Sequence, residues 1–410
     1  MPHPINPERP TAMRRAAIVA PIRTPVGKFG GALAGFSAGD LGAIIIRALV
    51  ERTGIDPARI DDVVFSQGYG NGEAPCIGRW SAMAAGLPIS VPGVQLDRRC
   101  GSGLQAVIDA AMRIQTGAAD LVLAGGVESM SNVEYYSMDH RHGARSGSTT
   151  LHDRLTRGRV MSQPIERFGV ISGMIETANN VAADYGITRE ECDEYAAMSH
   201  QRAARAWAEG KFDDEIVPVS VPQRRGDPVV FARDEGVRAD ATAQSLSQLR
   251  PIEQGGVVTA GNASQQNDAA AACLVVAEDK LEEFGLEPIA WLHGWAAAGC
   301  EPSRMGIGPV PAVERLFART GLGWKDIDLV ELNEAFAPQV LGCLRGWGWD
   351  ERDRLNVNGS GISLGHPIGA TGIRILATLT RELRRRGGRF GLETMCIGGG
   401  QGLAAVFECV

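Results

Sequence analysis

Short apolar runs and longer amphipathic stretches alternate along most of the chain. The apolar run from Val91 to Leu96 is followed by glycines and then by an amphipathic stretch from Leu104 to Ile114. This order predicts a strand, a tight turn and a helix. The pattern recurs near the C-terminus, where a glycine-punctuated helix is predicted over 369–385. Alternating strands and helices predict an α/β fold in which helices cover mixed sheets.

Two segments of the chain are similar enough to predict a duplication. Gly-Ile-Asp-Pro-Ala-Arg-Ile-Asp-Asp-Val, which begins at Gly54, is similar to Gly-Leu-Gly-Trp-Lys-Asp-Ile-Asp-Leu-Val, which begins at Gly321. Cys100 and His366 lie almost as far apart along the chain as these two segments, and each opens a glycine-punctuated helix. A duplicated architecture would bring the two helix starts towards one site.

The middle of the chain differs from both halves. Residues 129–259 are richer in charge, histidine and loop residues, and they contain one clear helix signal over 189–209. We therefore expect an inserted loop domain at 129–259. The N-terminal half is expected at 13–128, completed by about 260–284, and the C-terminal half at 285–410.

Composition and charge exclude several classes of protein. The chain is 44% hydrophobic and 22% charged, which is typical of a globular protein, and its formal net charge of −7 argues against nucleic-acid binding. Eight cysteines without close pairs are typical of a reducing compartment, and no Cys/His spacing predicts a metal site. Residues 1–12 lack the apolar core of a signal peptide, and no run is long enough to cross a bilayer. A cytoplasmic enzyme is expected.

Two cysteines are candidates for chemistry. Cys100 is predicted at a helix N-terminus, where unpaired N–H groups and the helix dipole favour the thiolate. Cys396 precedes three glycines, which would let a substrate reach the backbone. Buried cysteines more often behave as small hydrophobic residues, and that is the expectation for Cys273, Cys343 and Cys409.

Two further polar residues stand at predicted turns. His366 lies between a glycine and a proline, which is atypical of a packed core histidine, although a structural role stays open. Asn333 ends the apolar run that starts at Asp328, where it could tie down the turn or hold a water. Together, the cysteines and the histidine fit covalent acyl transfer, in which a thiolate attacks a carbonyl and backbone N–H groups hold the oxyanion.

Six motifs, in order, resemble those of the thiolase family, and the resemblance runs from about Ala16 to the C-terminus. They are Cys-Gly-Ser-Gly-Leu-Gln-Ala-Val (100–107), Ala-Gly-Gly-Val-Glu-Ser-Met-Ser (124–131), Val-Thr-Ala-Gly-Asn-Ala-Ser (258–264), Leu-Asn-Glu-Ala-Phe-Ala (332–337), Gly-His-Pro-Ile-Gly-Ala-Thr-Gly (365–372) and Cys-Ile-Gly-Gly-Gly-Gln-Gly (396–402). The resemblance implies the thiolase fold. It also implies cleavage of a 3-ketoacyl-CoA by CoA, or the reverse Claisen condensation, as in β-oxidation of fatty acids.

The resemblance also implies roles for individual residues. Cys100 would be the acylated nucleophile, activated by His366, and Cys396 would exchange the α-proton of acetyl-CoA. The N–H groups of Cys100 and Gly398 would form one oxyanion hole, and His366 with a water held by Asn333 would form the other. Positions that contact CoA in the family correspond to Ser264, Ser245, Arg238 and Met174. CoA is then a co-substrate, no permanently bound cofactor or metal is expected, and the family commonly forms homodimers or homotetramers.

The chain departs from the family pattern around the CoA and acyl sites. Gly173 replaces a histidine, Asn179 replaces a glutamate, and Asp97 replaces an asparagine before the nucleophile. An aromatic residue is missing at Ile252-Glu253, and residues 264–269 are less glycine-rich than usual. We hypothesise an acyl group larger or more polar than acetoacetyl, with drift at constant substrate as the alternative.

Two other functions stay open at this stage. A ketoacyl synthase shares the fold but normally uses two histidines with its cysteine, whereas this chain has Asn333 and Cys396. A non-catalytic acyl-CoA-binding relative would be expected to have lost Cys100 or His366, and both are present.

Overall fold

The computed structural model describes residues 13–410. Residues 1–12, on which the prediction about a signal peptide rests, lie outside the described residues. The strands are β1 (Ala16–Arg23), β2 (Gly27–Lys28), β3 (Asp62–Ser66), β4 (Gly93–Leu96), β5 (Leu121–Ser129), β6 (Tyr135–Tyr136), β7 (His152–Asp153), β8 (Val219–Val221), β9 (Val229–Phe231), β10 (Asn267–Ala277), β11 (Ala290–Gly299), β12 (Leu329–Leu332), β13 (Phe390–Ile397) and β14 (Gln401–Cys409). The helices are α1 (Ala38–Thr53), α2 (Ile77–Ala85), α3 (Ser102–Gln115), α4 (Arg154–Val160), α5 (Ile165–Phe168), α6 (Met174–Tyr185), α7 (Arg189–Ala208), α8 (Ala243–Ser247), α9 (Leu281–Phe284), α10 (Pro309–Thr320), α11 (Ala337–Trp347) and α12 (Thr371–Arg386).

The pairing of the strands confirms the predicted duplication. In the N-terminal half, β3 pairs in parallel with β5, β5 runs antiparallel to β10, and β10 runs antiparallel to β1. The C-terminal half repeats this order, because β12 pairs in parallel with β13, β13 runs antiparallel to β14, and β14 runs antiparallel to β11. The two halves are joined edge to edge, since β1 and β11 pair at Ala17 with Trp291 and at Ile18 with Ala290. The result is one mixed sheet of ten strands.

Helices α3 and α12 pack between the strands of the N-terminal half and the strands of the C-terminal half. Apolar side chains of α3 and α12 pack in one buried cluster with residues of β5, β10, β13 and β14. Small residues let the helix starts approach, since a Cβ at Gly103 would lie 2.9 Å from the carbonyl oxygen of Gly369. Glycines are therefore needed where the two helices begin, because side chains there would keep the helices apart. They bring Cys100 and His366 towards the same region.

A buried ion-pair cluster ties the middle of the chain to the sheet. Arg23 of β1 is fully buried, and its guanidinium bonds Glu215 at 2.7 Å and Asp234 at 2.8 Å. Both carboxylates come from the segment after α7. Breaking a buried pair of this kind leaves an unpaired charge and costs about 3–5 kcal/mol. The helix predicted over 189–209 is α7, which begins with a capping box between Thr188 and Glu191.

Across residues 13–410, each helix is too short or too polar to cross a bilayer.

Candidate active site

Cys100 lies in a strained turn between β4 and α3. The residues Arg99–Gly101 form one 3-10 turn that leads directly into α3. The Arg98 N–H donates to Ser102 Oγ at 2.8 Å, and the Arg99 N–H donates to Asp97 Oδ1 at 2.7 Å. Arg99 has φ +49°, in the left-handed region that non-glycine residues rarely adopt. An asparagine at 97 could accept the same bond, so the Asp97 departure preserves the turn.

The thiol of Cys100 is buried, and burial raises its pKa. The backbone N–H groups of Gly398 and of Cys100 itself, with the Arg99 guanidinium, act in the opposite direction but do not outweigh burial. The expectation that the helix N-terminus favours a resting thiolate is therefore wrong in its net direction, because the desolvation of the charge is the larger effect. The thiol needs a base. The two N–H groups near Sγ are those that the resemblance to the thiolases implies for an oxyanion hole.

His366 is held as a neutral imidazole with one free nitrogen. Its Nδ1 lies 2.7 Å from Thr371 Oγ1 and 3.4 Å from Asn333 Nδ2. Its Nε2 is buried and has no hydrogen-bond partner within the described chain. Burial, with a smaller contribution from the charge of Arg374, lowers the pKa of His366 to about 3. A neutral ring with a free nitrogen can accept a proton from a thiol.

Asn333 follows β12 directly and is fully buried. Its N–H donates to the carbonyl oxygen of Thr394 at 3.0 Å, and its Oδ1 has no partner among residues 13–410. The next residue, Glu334, accepts hydrogen bonds from Ser199 Oγ at 2.6 Å and Tyr195 OH at 2.9 Å. The loop is thus anchored to α7, while the Asn333 amide keeps bonding capacity for a water or a substrate oxygen.

Cys396 and Gly398 occupy the end of β13 and the glycine turn that follows it. Burial raises the pKa of Cys396 well above the usual value, and the neighbouring Cys100 adds to this effect. Cys396 is therefore a protonated thiol at rest. The turn packs on the Cys100 segment, since a Cβ at Gly101 would lie 2.5 Å from Ile397 Cδ1. A Cβ at Gly398 would lie 3.5 Å from Met174 Sδ, so Met174 also borders the site.

The other three candidate CoA contacts are one residue beside the Asn333 loop, Ser264, and two exposed residues, Arg238 and Ser245. The N–H of Ser264 donates to the carbonyl oxygen of Ala335 at 2.9 Å, which places Ser264 beside the loop of Asn333. Arg238 and Ser245 are exposed. The Ser245 hydroxyl donates to the carbonyl oxygen of Thr242 within the cap of α8, so it is already engaged locally.

Two of the departures from the family pattern contact each other. Asn179 Nδ2 donates to Glu253 Oε2 at 2.8 Å, and Asn179 Oδ1 accepts the N–H groups of Val257 and Val258. These hydrogen bonds connect α6 to residues 253–258, which lead into the Val-Thr-Ala-Gly-Asn-Ala-Ser motif. Gly173 has φ +156°, a conformation that disfavours any residue with a side chain, including the histidine it replaces.

Sequence reasoning missed three residues that shape the site. Asn267 Oδ1 accepts the His366 N–H at 2.8 Å, and Thr371 binds Nδ1 of the same ring. Glu128 is buried and accepts the N–H groups of Gly68, Tyr69 and Gly369, which fixes the turn after His366. Glu128 and Thr371 lie within the motifs over 124–131 and 365–372, which was the available sequence signal for these two residues.

Comparisons with known proteins agree with this architecture. A family model described as the thiolase N-terminal domain matches residues 16–279, and one described as the thiolase C-terminal domain matches 286–409. An acetyl-CoA acetyltransferase of Chromobacterium violaceum is 48% identical over 396 residues, which are 96% of this chain and 99% of that protein. A β-ketoadipyl-CoA thiolase of Acinetobacter baylyi is 43% identical over 402 residues, 97% of this chain and 100% of that protein.

A solved structure gives the same result. The human mitochondrial 3-ketoacyl-CoA thiolase in complex with CoA matches with a TM-score of 0.90 and 38% identity, over 98% of this chain and 100% of that chain. The fold and these matches define an acyltransferase enzyme with a thiolase fold. The chain belongs to the thiolase family, and its activity is that of a thiolase.

Proposed function

We propose that this thiolase transfers its acyl group through a covalent intermediate on Cys100. The observation that carries the proposal is the surroundings of the Cys100 thiol. It is a protonated thiol near the Gly398 N–H, in the same region as a neutral histidine whose Nε2 is free. In the cleavage direction, His366 takes the thiol proton and the sulfur attacks the keto carbon of a 3-ketoacyl-CoA. The carbon–carbon bond then breaks, and acetyl-CoA leaves as its enolate.

The remaining residues have roles that follow from their protonation states. Cys396, a protonated thiol, gives its proton to the enolate carbon of acetyl-CoA in cleavage and takes it back in condensation. The N–H groups of Cys100 and Gly398 hold the oxygen of the acyl-enzyme thioester. His366 and the Asn333 amide hold the oxygen of the departing thioester enolate. A CoA thiol then attacks the acyl-enzyme, and the shortened acyl-CoA is released.

CoA enters as the co-substrate. Met174 and Ser264 border the site, and the exposed guanidinium of Arg238 is available to a phosphate. The relatives are named for acetyl-CoA and for β-ketoadipyl-CoA at similar identities, so identity alone does not select the acyl group.

We propose that the protein forms a homodimer in which two copies pair along the outer edge of their N-terminal strands. Two such dimers would form a tetramer. β4 is the terminal strand on this side of the sheet and pairs with β3 alone among the described strands. The neighbouring Ile89 is 87% exposed. An open strand edge beside exposed apolar surface favours pairing with a second copy. A cytoplasmic location and a role in β-oxidation stay predictions from the sequence.

The test is CoA-dependent loss of acetoacetyl-CoA and of a longer 3-ketoacyl-CoA, in the wild type and in Cys100→Ala. We expect turnover that disappears in the variant, and a covalent acyl adduct on the wild type that intact-protein mass spectrometry detects. Cys300→Ala, a half-buried cysteine outside the proposed roles, is the control. CoA binding without turnover or adduct would favour a non-catalytic acyl-CoA-binding protein.

A further inference from the structure

The segment 236–241 carries Arg238 and lies beside the loop of His366. A Cβ at Gly236 would lie 2.8 Å from the carbonyl oxygen of Ser363, which is three residues before the histidine. The backbone of the segment therefore touches the loop of a proposed catalytic residue. Where this backbone is held decides which part of a bound CoA the guanidinium of Arg238 can reach.

One buried histidine holds the middle of this segment. His200 lies on α7 and is 2% exposed, and its Nδ1 accepts the backbone N–H of Arg238 at 3.3 Å. The neighbouring Gln201 donates from Nε2 to the carbonyl oxygen of Ala241 at 3.1 Å. The N–H of Ala241 in turn donates to the carbonyl oxygen of Arg238 at 3.1 Å. Two adjacent residues of α7 therefore hold both ends of the turn 238–241.

The hydrogen bond from the Arg238 backbone requires a neutral imidazole. Burial, with a smaller contribution from the charge of Arg238, lowers the pKa of His200 to about 4, although the charge of Asp240 acts in the opposite direction. The ring is then neutral at physiological pH, with Nδ1 as the acceptor and the proton on Nε2. A ring of similar size without a nitrogen would fill the same place but could not accept this hydrogen bond.

The side chain of the same arginine is placed differently from its backbone. Arg238 is exposed, while its backbone N–H is bonded to a buried residue. A guanidinium binds a phosphate through two parallel N–H bonds, which requires a defined position and direction. A backbone that is already fixed reduces the conformational freedom that the arginine loses when it binds.

We propose that His200 is a positioning residue for CoA, which holds the backbone at Arg238 so that the guanidinium reaches a phosphate of the nucleotide. This inference rests on the proposed function, because CoA is the co-substrate there. His200 does not touch CoA and acts through Arg238. Its effect on binding is therefore confined to the part of CoA that carries phosphates.

The experiment compares CoA with pantetheine, which has the same thiol arm but no phosphate. The ketoacyl substrate is in both cases a 3-ketoacyl-pantetheine that the wild type turns over, so that only the attacking thiol differs. His200→Phe is expected to raise the KM for CoA about tenfold, equivalent to about 1.4 kcal/mol, and to leave kcat and the KM for pantetheine unchanged. His200→Asn, whose Oδ1 can take the place of Nδ1, should restore most of the affinity for CoA.

Three further variants identify the residue through which His200 acts. Arg238→Gln is expected to raise the KM for CoA, and adding His200→Phe to it should cause no further rise. Gln201→Ala removes the hydrogen bond at the other end of the turn from an exposed position, so it should give a smaller rise even if His200→Phe folds poorly. His293→Phe, at an exposed histidine on β11, is the matched control and should change neither KM.

Several results would overturn the inference. One is a rise in the KM for both thiols or a loss of kcat, since the substitution would then disturb the site as a whole. Another is a KM for CoA that is unchanged in His200→Phe and in Gln201→Ala, and a third is an Asn variant no better than the Phe variant. If the wild type turns over no substrate, the proposed function fails, and calorimetric Kd values for CoA and pantetheine in the same variants decide the role of His200.

Discussion

The α-carbon of Gly372 lies against the backbone of Leu104, so close that a Cβ at position 372 would lie 2.1 Å from the Leu104 nitrogen. Gly372 belongs to α12 of the C-terminal half, and Leu104 belongs to α3 of the N-terminal half. No side chain mediates this contact. The two helices can start this close together because glycine at position 372 has no side chain. The placement of Cys100 and His366 therefore also depends on this glycine.

Gly372→Ala is therefore expected to destabilise the protein by about 3 kcal/mol, since an added methyl group in a packed core forces backbone shifts. The cost should appear as a lower melting temperature and as reduced thiolase activity in the fraction that stays folded. Gly35→Ala is the matched control, because a Cβ there meets no atom within 4 Å. Equal melting temperatures for the two variants would contradict the proposed role of this contact.

The pH dependence of activity follows from the state of His366. Because its pKa is lowered to about 3, the ring is neutral throughout the range in which the enzyme can be assayed. We expect kcat/KM to show no acid limb with a midpoint near 6.5, the ordinary histidine pKa, when it is measured across pH 5.5–8. A kcat/KM midpoint near 6.5, matched by an NMR titration of the His366 ring at the same pH, would show that the ring titrates normally and that burial does not control it.

Glu128 should make stability depend on pH. Burial raises its pKa to about 7 from 4.5, so the folded protein binds this proton more tightly than the unfolded chain. The contribution to stability is complete below pH 4.5 and is lost as the pH rises through 7, which amounts to about 3 kcal/mol at 1.36 kcal/mol per pKa unit. Glu128→Gln cannot titrate. We therefore expect the free energy of unfolding in urea, taken as wild type minus Glu128→Gln, to be smaller at pH 7.5 than at pH 4.5 by about this amount.

The control for that experiment is Glu282→Gln, at an exposed position. Its difference from the wild type should be the same at both pH values. If the difference in unfolding free energy between the wild type and Glu128→Gln is also the same at both pH values, ionisation of Glu128 does not destabilise the folded protein. The N–H groups of Gly68, Tyr69 and Gly369 would then compensate for the burial of the carboxylate.

The sequence alone predicted the α/β architecture, the duplication and the helix over 189–209. These features depend on local patterns, such as the alternation of apolar runs and the glycines at helix starts, which a linear reading can detect. The identity of Cys100, His366 and Cys396 as candidates came from the same source, because each stands beside glycines in a recognisable motif.

Only the tertiary structure decided how these groups are charged and held. The helix start at Cys100 predicted a thiolate, yet burial between the two halves raises its pKa. The partners of His366 include Asn267, which lies 99 residues earlier in the chain. Asn179 and Glu253 each departed from the family pattern in isolation and proved to be hydrogen-bonded to each other. Desolvation and long-range contacts depend on what the folded chain brings together, and no local pattern encodes them.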